Sequence, residues 1–153
     1  MKALEVRIPP VAVTLLFGAA MWGIAQFMPA YGLPRALTAI AAGLFLAGSG
    51  VIGIGGILAF RRAGTTVNPL QPKASSTLVI DGVYRYTRNP MYLALLMLLF
   101  AWGITLSNPY AMLAAWGFVP YMNRFQIVPE ERAMIQRFGP EFLRYAARVR
   151  RWI

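Results

Sequence analysis

The apolar run over residues 36–60 contains no charged side chain. An α-helix of that length is long enough to cross the roughly 30 Å hydrocarbon core of a bilayer. Of the 153 residues, 58% are hydrophobic and 13% are charged. A chain of this composition has more apolar surface than a soluble domain of the same length can bury. The sequence therefore predicts an all-α integral membrane protein.

Three further apolar runs predict spans at residues 11–28, 89–106 and 110–128. The last two begin at Asn89-Pro90 and Asn108-Pro109, where Asn is a preferred N-cap and Pro a preferred first helical residue. Pro120 is predicted to kink the fourth span. The expected fold is a bundle of about four transmembrane helices followed by a C-terminal interfacial amphipathic segment.

Small residues recur every fourth position in the second span, in the rows Ala39-Gly43-Ala47 and Gly48-Ile52-Gly56. Small side chains let membrane helices approach closely, so both rows predict tight helix packing. A dinucleotide-binding role is not favoured, because no predicted strand precedes these glycines.

A polar connection over residues 61–89 carries a turn signal at Asp81-Gly82. Its other turn-forming residues are Gly64, Pro69, Pro72, Ser75 and Ser76. After Pro129 the apolar residues recur at helical spacing, and Gly139-Pro140 divides this stripe into two short helices that we expect along the membrane surface. The expected units are a two-helix membrane hairpin at 1–60 and a second unit at 61–153, which contains the polar connection, the final hairpin and the C-terminal helices.

The basic residues are distributed unevenly among the predicted loops. With four spans, both termini and the 61–89 connection lie on one side of the membrane. Every Lys and Arg except Arg35 falls on that side, including Lys2 and Lys73. All five acidic residues, including Glu5, fall there too. The positive-inside rule then predicts cytosolic termini. We expect a bacterial-type inner membrane location.

Composition excludes several functions. The chain has no Cys and no His, so disulfides, thiol nucleophiles, and zinc or haem sites built from those ligands are excluded, and no metal is expected. The net charge of +10 indicates contact with anionic lipid headgroups rather than nucleic acid. The near absence of ionisable residues within the spans argues against a transporter.

Two polar clusters flank the final predicted hairpin, at residues 84–92 and 129–131, and the hairpin returns them to one membrane level. Arg88 at a helix start suits a carboxylate or phosphate, whereas Glu130 and Glu131 suit a cation. From spacing alone, an alternative is favoured: Arg88 and its tyrosines anchor the interface, and the carboxylates stabilise a helix start or pair with arginines.

The segment from Gly82 to Tyr92, followed after one hairpin by Glu130-Glu131 and then residues 138–145, resembles a family of membrane methyltransferases. These are the isoprenylcysteine carboxyl methyltransferases and phospholipid N-methyltransferases. The resemblance covers residues 64–153, and its pattern has Arg-His-Pro-x-Tyr where this chain has Arg88-Asn89-Pro90-Met91-Tyr92. Asn89 thus replaces a titratable group that is frequent in the family.

The resemblance implies S-adenosylmethionine as the cofactor and a lipophilic methyl acceptor, such as an isoprenylcysteine carboxylate, at the cytosolic membrane face. The alternatives are a phospholipid or amine acceptor, and a non-catalytic membrane scaffold. Arg88 and Glu131 are additionally candidates to orient the acceptor. The implied cofactor-binding residues are Tyr84, Tyr86, Arg88, Asn89, Pro90, Tyr92, Glu130 and Glu131.

Overall fold

A computed structural model describes residues 7–30, 32, 34–64 and 77–153, and these residues form helices and no strand. The all-α prediction is therefore confirmed for them. Lys2, Glu5, Pro69, Pro72, Lys73, Ser75 and Ser76 lie outside the described residues. The α-helices are α1 (Pro10–Phe27), α2 (Arg35–Arg62), α3 (Pro90–Thr105), α4 (Pro109–Trp116), α5 (Phe118–Met122), α6 (Val128–Phe138) and α7 (Pro140–Arg148). A 3-10 turn forms at Gly82–Arg85 and a π-helical segment at Asn123–Ile127.

Two helices, α1 with 18 residues and α2 with 28, are long and apolar enough to cross a membrane. Helix α3 is apolar but has only 16 residues, so at 1.5 Å per residue it is about 24 Å long. The fourth predicted span is divided among α4, α5 and the π-helical segment. Membrane association is thus indicated, while the count of four spans stays a prediction.

Helices α2 and α3 pack closely and run antiparallel. The hydroxyl of Ser49 donates to the carbonyl of Ala94 at 2.8 Å. A Cβ atom at Gly48 would lie 2.5 Å from Met97 Cε, and one at Gly56 would lie 3.3 Å from Pro90 Cγ, which confirms close packing for that row. At Gly43 no described atom lies within 4 Å of the Cβ position, so close packing is not found there.

Helix α1 packs against α4 and α3 rather than against α2. The buried amide of Asn108 donates to the carbonyls of Met28 and Pro29 at 2.9 and 3.2 Å, and its oxygen caps α4. At the start of α1, the buried amide of Gln126 donates to the carbonyl of Ile8 at 2.7 Å. The apolar core lies between these helices and includes the fully buried side chains of Met21, Phe118, Met122 and Ile127.

The backbone near the fourth run differs from the prediction in two respects. The α-helix breaks at Gly117, three residues before Pro120, because Pro120 has no N–H to donate into the preceding turn. Glu130 and Glu131 lie in the first turn of α6, as predicted, but this helix does not begin after a break in the chain. The backbone stays helical across the π-helical segment into α6, since the N–H of Val128 donates to the carbonyl of Asn123. Gly139, with φ of 48°, does separate α6 from α7 as predicted.

Candidate active site

The chain segment that enters α3 is held by the C-terminal residues. The N–H of Arg88 donates to the carbonyl of Arg150 at 3.0 Å. The carbonyl of Arg151 accepts from Thr87 Oγ1 at 3.1 Å and from Asn89 Nδ2 at 2.9 Å. The prediction that the Asn89 side chain caps α3 is therefore wrong, because the Asn89 amide bonds to Arg151 instead. The Asn89 side chain makes no capping hydrogen bond to the first turn of α3.

Arg88 and Glu131 form a shielded ion pair. Arg88 Nη2 lies 2.8 Å from Glu131 Oε1, and the two side chains are only 13% and 17% exposed. A second nitrogen, Arg88 Nη1, donates to the carbonyl of Ala146 in α7 at 2.8 Å. Arg151 contacts Glu131 from the other side, at 2.7 Å from Nη2 to Oε2. The pair thus joins the start of α3 to α6 and α7.

Glu130 lies one residue earlier on α6 and accepts a hydrogen bond from the hydroxyl of Tyr92. Burial, together with the nearby charge of Glu131, raises the pKa of Glu130 to about 8, although the hydrogen bond from Tyr92 opposes the shift. A carboxyl group in such surroundings is held largely protonated near neutral pH until a cation approaches. Perturbed carboxyl groups of this kind are frequent at functional sites.

Two phenol groups complete the polar part of the site. The hydroxyl of Tyr145 donates to the carbonyl of Tyr84 at 2.7 Å, and the ring of Tyr84 stands edge-on to Phe60 at 5.5 Å between centroids. Burial raises the pKa of both Tyr84 and Tyr145 above that of an exposed phenol. Both phenols therefore stay neutral at physiological pH.

These groups surround one cavity of about 120 Å³. Its walls come from α2, the segment before the 3-10 turn, and α3, α6 and α7. The apolar lining residues are Phe60, Leu78, Val79, Met91, Ile127, Met134 and Phe142, and the polar ones are Thr77, Tyr84, Arg88, Asn89, Tyr92, Glu130, Glu131 and Tyr145. A cavity of this kind combines mixed charges with an apolar wall, as a zwitterionic organic ligand requires.

A separate apolar groove of about 420 Å³ lies between α1, α2 and α3. Its lining includes Ile54 and Leu98, and it shares Met91 and Tyr92 with the cavity. Since α2 exposes large apolar side chains such as Leu44 and Val51, the groove opens on the apolar flank of the molecule.

Comparison with known proteins decides the family. The profile described as phospholipid methyltransferase matches residues 37–141, which is more than half of the chain. The chain belongs to this family. Methyl transfer to lipid-type substrates is therefore indicated, and the resemblance found in the sequence is confirmed.

A second similarity covers a shorter stretch. The chain is 44% identical over 63 residues to an uncharacterized protein of Haemophilus influenzae, which is 41% of this chain and 100% of that protein. This similarity therefore does not identify the methyl acceptor.

The residues that the family resemblance selected fall into two groups. Tyr84, Arg88, Asn89, Tyr92, Glu130 and Glu131 line the cavity. Tyr86 does not line it and is 79% exposed. Pro90 is buried against Gly56 of α2 and does not line it either. For these two residues, a direct contact with a ligand in this cavity is not supported.

Several residues at or beside the cavity were not predicted from the sequence. Tyr145 and Phe142 belong to the predicted amphipathic stripe, and the side on which they lie could not be fixed from spacing. Arg151 was only one of several C-terminal basic residues. The signal that distinguishes Arg151 is its contact with Glu131, which depends on the tertiary fold.

Proposed function

We propose that this protein transfers a methyl group from S-adenosylmethionine to a lipophilic acceptor at the cytosolic face of a membrane that it crosses four times, with both termini in the cytosol. A bacterial inner membrane is the proposed location. The observation that carries the proposal is the convergence of Arg88, Glu130 and Glu131 on one cavity in a member of the phospholipid methyltransferase family.

The residues present fit the charged part of S-adenosylmethionine. Arg88 Nε is buried and has no hydrogen-bond partner among the described residues, and the side chain of Asn89 does not cap the first turn of α3. Both features offer N–H donors to a carboxylate. The carboxyl group of Glu130 offers an acceptor to an ammonium group, and the tyrosine and apolar walls suit an adenine ring and a sulfonium.

The size of the cavity sets a condition on binding. A volume of about 120 Å³ is below the roughly 300–1,000 Å³ that is typical of pockets for small-molecule ligands. We expect cofactor binding to widen the cavity by displacing Glu131 from Arg88 or by moving α7, because both contacts lie at its boundary.

When bound, S-adenosylmethionine supplies an activated methyl group. The residues of this chain then have three tasks: Arg88 and Glu130 orient charged groups, the apolar wall excludes water, and Glu131 or Arg88 orients the acceptor. Orientation and proximity can lower a reaction barrier by roughly 7–11 kcal/mol. No general base is needed for a carboxylate acceptor.

The acceptor is proposed to enter through the apolar groove, since Met91 and Tyr92 line both the groove and the cavity. The acceptor expected from sequence is an isoprenylcysteine carboxylate. The family match favours the alternative, a phospholipid amine. An amine must lose a proton during methylation, and Glu131 is the group proposed to accept it.

The test is binding of S-adenosylmethionine, and of its demethylated product, to the full chain purified in detergent. We expect binding that Arg88→Ala and Glu131→Ala each weaken strongly. Arg85→Ala is the matched control, because Arg85 lies three residues away and its pair with Asp81 is exposed. Binding that survives both site variants would place the cofactor elsewhere, and no binding by the parent chain would favour the non-catalytic scaffold. Methyl transfer to an isoprenylcysteine and to a phospholipid amine then separates the two acceptors.

A further inference from the structure

We propose that Arg151 is a positioning residue that binds Glu131 and thereby leaves the charge of Arg88 available to the carboxylate of the ligand. This inference rests on the proposed function. Arg151 does not line the cavity and lies outside residues 37–141 that the family profile matches. Its role comes from its contacts in this structure.

Arg151 holds Glu131 more completely than Arg88 does. Nη2 of Arg151 donates to Oε2 at 2.7 Å, and Nε donates to Oε1 at 3.0 Å and to Oε2 at 3.2 Å. Arg88 makes a single bond to Oε1 of Glu131, at 2.8 Å. A planar guanidinium that spans both oxygens matches a carboxylate better than one N–H does.

The charge balance follows from these contacts. Two guanidinium groups share one carboxylate, so the three side chains carry a net positive charge. Without Arg151, the charge of Glu131 would neutralise Arg88 alone, and an incoming carboxylate would meet a neutral pair. With Arg151 in place, the positive charge remains in the cavity on Arg88, whose side chain is 13% exposed.

The position of Arg151 is fixed independently of its side chain. Its carbonyl accepts from Thr87 and Asn89, and the indole N–H of the next residue, Trp152, donates to Asn123 Oδ1 at 3.0 Å. A substitution at residue 151 keeps the backbone carbonyl, so these anchoring bonds remain possible. The substitution therefore removes mainly the contact with Glu131.

The unpartnered Arg88 Nε indicates where the ligand binds. Buried donors without a partner are uncommon in native proteins. Nη1 of Arg88 bonds to Ala146 and Nη2 to Glu131, whereas Nε is buried and has no hydrogen-bond partner in the described part of the chain. An acceptor oxygen from a bound carboxylate would complete the set.

The experiment compares two ligands on the full chain in detergent: S-adenosylhomocysteine, which carries the amino-acid carboxylate, and 5′-methylthioadenosine, which lacks it. We expect Arg151→Ala to weaken the first about tenfold or more and the second by less than about twofold, since only the first binds Arg88 through a charge-assisted bond. Arg151→Lys should be intermediate, because it keeps the charge and loses the planar fork.

Arg150→Ala is the matched control, since Arg150 is exposed and contributes its carbonyl, which the substitution keeps. If the parent chain binds both ligands and Arg151→Ala weakens both equally, the role of Arg151 is structural and the inference is wrong. Unchanged binding of both ligands also overturns it. If Arg151→Ala does not fold, Arg151→Lys carries the same comparison. A parent chain that binds neither ligand overturns the proposed function as well.

Discussion

The hydroxyl of Tyr92 donates a hydrogen bond to the carboxyl group of Glu130, and this bond joins the first turn of α3 to α6 inside the cavity. Both residues lie near the two ends of the final hairpin, which are far apart in sequence and adjacent in space. The carboxyl group is shielded from water, and its pKa is raised to about 8. Glu130 is therefore mostly protonated at neutral pH in the free protein.

The titration of Glu130 predicts a pH dependence of ligand binding. An ammonium group favours the ionised carboxylate, so affinity for S-adenosylhomocysteine should rise from about pH 6 to about pH 8 as Glu130 loses its proton. Glu130→Gln should bind more weakly at about pH 8 and lack this rise. Titration calorimetry at several pH values measures the affinity. If the affinity of both proteins rises equally with pH, Glu130 is not the group that binds the ammonium.

The same shift predicts how stability depends on pH. The folded pKa of Glu130 lies above its unfolded value, so the native state holds the proton more tightly. Stability from this group is fully present below about pH 4.5 and is lost as pH rises through about 8. In Glu130→Gln, stability should change less with pH over this range. Thermal unfolding in detergent at several pH values measures it, and a parent chain whose stability rises over this window would refute it.

Helix packing at Gly56 predicts a coupling between α2 and the cavity. A Cβ there would lie 3.3 Å from Pro90 Cγ and 3.4 Å from Met91 Cγ, and Met91 lines the cavity. Gly56→Leu should cost about 1–3 kcal/mol of stability through overpacking and should also weaken cofactor binding. Gly43→Leu is the matched control in the same helix, because no described atom lies within 4 Å of its Cβ position.

Local chemistry made part of the site predictable. The turn at Asp81-Gly82, the start of α3 at Pro90 and the break at Gly139 all follow from backbone preferences, and all three are present. The family resemblance then selected Arg88 and Glu131. The partners of these residues could not be predicted, because Arg151, Tyr145 and Ala146 reach the site only through the fold of α7 and the C-terminus.

Asn89 and Asn108 show the same limit. Both precede a proline at a helix start, and both were predicted caps. Asn108 caps α4, with Oδ1 accepting from the N–H groups of Tyr110 and Ala111 at 3.1 and 3.0 Å. Asn89 bonds to the carbonyl of Arg151, 62 residues away. The local sequence favours a capping role for an Asn before a proline. Whether the side chain caps the helix depends on whether the fold brings it another hydrogen-bond partner.

The two roles of Asn108 predict a graded mutational series. Its oxygen caps α4 and its amide nitrogen binds the carbonyl of Met28. Asn108→Ser keeps an oxygen that can cap the helix and loses the amide donors, whereas Asn108→Ala loses both. We expect Asn108→Ala to cost about 1–3 kcal/mol and Asn108→Ser to cost less. Thermal unfolding measures both, and Gln26→Ala, at an exposed position, serves as the control. Equal losses from both Asn108 variants would mean that the cap contributes nothing.

The number of membrane crossings is testable because the chain has no cysteine. Three single-cysteine variants report on successive parts of the chain: Arg35→Cys, Tyr110→Cys and Leu143→Cys. Tyr110 is 48% exposed and Leu143 is 53% exposed. With four crossings, Arg35→Cys and Tyr110→Cys react with an impermeant thiol reagent outside intact cells, and Leu143→Cys reacts only after permeabilisation. If α1 and α2 alone crossed, Tyr110→Cys would behave like Leu143→Cys. We expect the first pattern, since the positive charge is concentrated on the side of Leu143.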